Sequence, residues 1–159
     1  MTGKRNALRI ESTRRADGSV VLRCTREDGS VTWQKHEGAQ AQFFAFHDLT
    51  HFAVETTLGI RNGFYGLIAD GWDIADTSGK GNRGPLPSDA MLVEHLVALF
   101  SRRFVDANDF NAQLAMVMSD APTLTDAQIA AVRARIEELH VTFAASGSID
   151  LTFQGTADL

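Results

Sequence analysis

The chain carries a single cysteine, Cys24, and only three prolines in 159 residues. One cysteine excludes an intramolecular disulfide and a Cys-rich zinc site, and it points to a reducing compartment, the cytoplasm. No run approaches the roughly 20 apolar residues that a membrane helix needs, so no segment is expected to span a bilayer. The basic start, MTGKRNALRI, leads into polar and charged residues rather than the apolar core of a secretory signal, which argues against export by that route. An excess of positive charge is also missing. Lys4, Arg5, Arg9, Arg14, Arg15, Arg23 and Arg26 crowd the first quarter, but 15 Lys and Arg stand against 20 Asp and Glu overall. That balance argues against a dedicated nucleic-acid binder.

What is present suits one domain of ordinary globular composition, large enough to bury a core without staples. A metal in such a chain serves function rather than folding. The opening third reads as a three-stranded meander, because Ala16-Asp17-Gly18-Ser19 and Glu27-Asp28-Gly29-Ser30 are turn signals between runs of alternating polarity. Leu8, Ile10, Val20, Leu22, Cys24, Val31 and Trp33 are expected on one greasy face. Arg9, Glu11, Arg23, Thr25, Thr32 and Gln34 are expected on the wet face.

Helices must cover the greasy face. The first is predicted from about Ala39 to Leu58, apolar nearly all round and therefore central, and ended by Gly59. A short helical turn follows in GFYGLIADGWDI, where Gly63 and Gly66 permit close approach. Asp76 to Pro87 is a glycine-rich and proline-rich loop. Ser88 is a candidate N-cap for a helix over Asp89 to Phe104, and a shorter helix is expected over Asp109 to Met118. Thr125 and Gln128 match a capping box opening a helix to about His140 or a turn beyond. Ile149, Leu151 and Phe153 alternate with polar residues, as a fourth strand would. The expected fold is α+β, a four-stranded antiparallel sheet covered on one face by four to five helices.

The segment FFAFHDLTHFAVE, Phe43 to Glu55, concentrates the chemistry. His47 and His51 are spaced i and i+4, one turn apart on one helical face, the spacing with which helices hold zinc or another divalent metal. Glu55 is a further turn along, about 12 Å of helix axis from His47 at 1.5 Å per residue. It is therefore better placed to orient the His51 ring than to join one ion directly. A third ligand has to come from elsewhere: Glu94 or His95 on the later helix, or Asp70 or Asp73 around Trp72. Asp48, or a nearby acid, is the candidate general base. The alternative is a buried polar network in which His47, His51 and Glu55 are structural, in a non-catalytic interaction protein. Either reading accommodates a homodimer, formed through the exposed meander or an apolar helix face. Gly79, Gly81 and Gly84 formally match GxGxxG with Lys80 and Arg83 between, but Pro85 and Pro87 delay the helix that the fingerprint requires. Cys24 alternates inward, as an inert buried thiol would.

HDLTH resembles the HExxH signature of zinc metallopeptidases, in which the acid after the first histidine is the general base. Here that acid is Asp48, one methylene shorter, and no HxxGxxH pattern follows. The His47-Asp48 pair is also similar to the dyad of the HD phosphohydrolases, an all-helical family to which a β-meander does not belong. HDLTHFAVE (47–55) followed by GFYGLIADGWDI (63–74) resembles a group of small uncharacterised bacterial proteins, over roughly residues 43 to 74. That resemblance implies no particular activity. Taken together, the residues favour a divalent-metal site, most plausibly zinc, serving hydrolysis of a small molecule of unknown identity.

Overall fold

The computed structural model describes residues 6–154. Lys4 and Arg5 of the basic cluster lie outside the described residues. The meander forms as β1 (Ala7–Arg14), β2 (Val20–Arg26) and β3 (Val31–His36), and β4 (Ser148–Gln154) returns beside β1. The antiparallel sheet has the order β3-β2-β1-β4. Both hairpin turns are fixed in the same way. Asp17 accepts from the Ser19 N–H and Asp28 from the Ser30 N–H, each at 2.9 Å. Gly18 and Gly29 supply the positive φ that each turn needs.

One expectation about the faces is overturned. Cys24 pairs with Thr32, Leu22 with Gln34 and Val20 with His36. Thr32 and His36 therefore share the inner face with Cys24 and Val20, while Val31 and Trp33 point outward. Trp33 is 63% exposed and Thr32 is buried. The two turns are alike but begin 11 residues apart, an odd number. The residue after the second turn consequently faces the opposite way from the residue after the first.

The helices are α1 (Ala41–Leu58), preceded by a short 3-10 turn at Gly38–Gln40, then α2 (Phe64–Ala69), α3 (Ser88–Phe100), α4 (Ala107–Val117) and α5 (Asp126–Ser146). Gly59, at φ 67°, ends α1 as its composition suggests. The capping box of Thr125 and Gln128 opens α5, which runs past His140 until Gly147 stops it at φ 72°. Asp106 caps α4 by accepting from the Asp109 N–H. Pro87, not Ser88, is the N-cap of α3, and that helix stops at Phe100, short of Phe104.

α1 passes between two clusters of buried side chains, which explains an apolar surface nearly all round it. Towards the sheet, Ala45, Leu49 and Phe52 pack with Leu8, Ile10, Leu22, Tyr65 and Phe143. On its far side, Val54 packs with Val93, Leu96 and Val97 of α3, Phe110 and Leu114 of α4, and Val132 of α5. α1, α2 and α5 thus lie against the sheet, with α3 and α4 closing the second cluster. Among the described residues, no helix is long and apolar enough to cross a membrane.

Candidate metal centre

His47 and His51 stand one turn apart on α1 with ring centroids 4.9 Å apart and planes at 70°. The packing of α3 along this face of α1 brings in Glu94. One ligand atom each from His47, His51 and Glu94 all lie within 4.8 Å of one another. Tetrahedral zinc ligands at ~2.0–2.2 Å from the ion are roughly 3.4 Å apart. The His51–Glu94 pair is already at 3.5 Å, and the Glu94 side chain is 46% exposed. His51 is the closed end of the group, with its Nε2 3.5 Å from Glu94 Oε1 and its ring buried. His47 and Glu94 form the end open to solvent.

Behind His51 sits Glu55, almost completely buried. Its Oε1 accepts from the backbone N–H groups of Tyr65 at 2.9 Å and Gly66 at 3.3 Å, so the carboxylate caps the first turn of α2. Close approach here requires glycine at two positions. A Cβ on Gly63 would lie 2.5 Å from the Glu55 carboxylate, and one on Gly66 would fall on the Arg61 carbonyl oxygen. The other oxygen, Oε2, faces His51 Nδ1 at 3.6 Å.

Burial disfavours the charged form of His51, but Glu55 and Glu94 outweigh it and raise the imidazole to about 9. Burial also pushes the Glu55 carboxyl upward, against His51 and the two backbone N–H groups. The proton of the pair rests on His51, because Glu55 already accepts two N–H donors and His51 faces a second carboxylate. Glu94 is moved the other way: burial raises it, and His51, His47 and His95 together bring it below the ordinary value. Burial, then the neighbouring His51, lowers His47, which favours a free nitrogen lone pair.

The remaining sequence candidates are placed apart. Asp48 Oδ2 is 2.9 Å from His36 Nε2, in a nearly buried pair that ties the end of β3 to α1. His36 was not singled out from sequence; the hairpin parity that turns it inward was the available signal. His95 follows Glu94 on α3 and is outside the three-residue group. Asp70 accepts from Asn6 at 3.1 Å, and Asp73 pairs with Arg26 at 3.2 Å. In the glycine-rich loop, Arg83 donates to the Gly71 carbonyl at 3.0 Å and lies over the Trp72 ring. A cavity of about 320 Å³ at the end of α1, lined by Phe52, Glu55, Arg61, Arg135 and Phe153, touches the His51 network through Glu55. Comparison of the chain with protein-family models, curated proteins and solved structures finds no match.

Proposed function

We propose that this protein binds one divalent cation, zinc by its donor set, through His47, His51 and Glu94, and uses it in hydrolysis of a small molecule. The observation that carries the reading is the convergence of two imidazoles and a carboxylate from two helices within 4.8 Å. Two histidines and a glutamate are a donor set of catalytic zinc sites, which leave a fourth position for water or substrate. The half-exposed Glu94 supports an open position on that side. Glu55 is positioned to hold the His51 ring with Nε2 toward the ion, the role of a carboxylate behind a metal-bound histidine. A cation bound here would supply Lewis-acid polarisation of the substrate and an acidified water. Asp48 is engaged by His36, so this reading does not use it as the general base. We assign the protein to the cytoplasm on the strength of its single, unpaired cysteine.

One observation favours a second reading, a structural network without metal. Each ring nitrogen of His51 already faces a carboxylate, at 3.6 Å and 3.5 Å. Elemental analysis of tag-free protein after gel filtration in metal-free buffer and add-back of zinc, manganese or iron separates the two. Near-stoichiometric metal in the wild type, lost in a folded His51→Ala variant, supports the centre. No metal in either protein sinks it and leaves the network.

A further inference from the structure

We infer that the molecule taken by this site carries an apolar body, an alkyl or aryl group, attached to the polar head that meets the metal; this rests on the metal reading above. Large apolar side chains that the fold leaves in solvent stand one turn before a donor on each of the two helices. Phe43 is 61% exposed one turn before His47. Its ring is stacked against the His47 imidazole, with centroids 6.3 Å apart and planes at 25°. Phe44 packs edge-on against Phe43 at 5.5 Å and is itself exposed. On the facing helix, Met91 is 47% exposed one turn before Glu94.

The i,i+4 spacing of Phe43 to His47 and the i,i+3 spacing of Met91 to Glu94 put each apolar side chain on the helical face that carries the ligand. A single exposed apolar residue needs no explanation. Exposed apolar residues one turn from the donors on both helices flank a polar centre, the make-up of a ligand site. A wholly polar substrate gains nothing from this border. A molecule whose head reaches the metal position while its chain covers Phe43 and Met91 gains roughly fourfold in affinity per buried CH₂.

The test uses the full chain loaded with zinc, with its zinc content measured first, and two hydroxamates of different chain length as probes. Calorimetric titration is expected to show hexanohydroxamate binding at least about tenfold more tightly than acetohydroxamate. In a Phe43→Ala, Met91→Ala double variant the ratio falls to about twofold while zinc content is unchanged, and Phe43→Leu keeps most of the preference. Equal affinities in the wild type, or a preference that survives the double variant, would overturn the proposal. A chain that takes up no zinc at the first step fails the metal reading itself, a result distinct from loss of the chain-length preference.

Discussion

His51 Nδ1 and Glu55 Oε2 face each other at 3.6 Å, and neither atom has a hydrogen-bond partner among the described residues. Both are buried, and each faces the other. A buried charge left without its partner costs several kcal/mol, so this pair bears on the stability of the fold as well as on the candidate site.

Glu55→Ala removes the charge behind His51 and also the acceptor for the Tyr65 and Gly66 N–H groups. A loss of about 3–5 kcal/mol in urea unfolding is expected. Glu55→Gln keeps an acceptor for the α2 turn and folds. Its amide N–H then donates to His51 Nδ1, which puts the ring proton on Nε2, the nitrogen that the proposed centre uses as ligand. Zinc affinity should drop about 10- to 100-fold with a much smaller stability change.

Gly63 and Gly66 are required by space, not by backbone angle, since neither has positive φ. Gly63→Ala drives a methyl into the Glu55 carboxylate and Gly66→Ala drives one into the Arg61 carbonyl. Each should cost more than about 2 kcal/mol. Gly38→Ala, where φ is 76° but nothing lies within 4 Å, should cost about 1 kcal/mol. Thermal melts of the three variants check the order.

Asp48→Asn tests the pairing of Asp48 with His36. The proposed ligand group, His47, His51 and Glu94, does not include Asp48, so zinc content should equal that of the wild type. Loss of a nearly buried, charge-assisted contact should lower stability by about 1–3 kcal/mol. A variant of normal stability that has lost zinc would contradict the placement.

Burial pushes the Cys24 thiol up to about 12, with Asp48 adding in the same direction. The sign is that of a group held neutral, so at pH 8 the buried thiol stays protonated in the folded chain. Iodoacetamide should leave the native protein unmodified at that pH and label it fully in urea, as intact mass spectrometry would read.

The element order was legible from periodicity and punctuation, because Gly59, Gly18, Gly29 and the Thr125 capping box act locally and need no tertiary information. The phase of β3 is not legible from hydrophobicity alone, which places Val31 and Trp33 inside against the odd spacing of two like turns. Counting that spacing places Thr32 and His36 inside. The i,i+4 histidines and the role of Glu55 behind His51 follow from helical geometry within one element. The convergence of Glu94, rather than His95, Asp70 or Asp73, on the two histidines does not, since it depends on how α3 packs along α1. The end of α3 at Phe100 likewise depends on tertiary packing: Phe100 and Phe104 each lie 4.8 Å from the Phe110 ring, and the turn between them allows both contacts.

Zinc titration of four proteins by calorimetry, the wild type beside His51→Ala, Glu94→Gln and Asp48→Asn, tests the central claim most directly. The account predicts one site per chain in the wild type and in Asp48→Asn, loss of binding in His51→Ala, and affinity at least about tenfold weaker in Glu94→Gln. Absence of binding in the wild type, or wild-type affinity in both His51→Ala and Glu94→Gln, would contradict it.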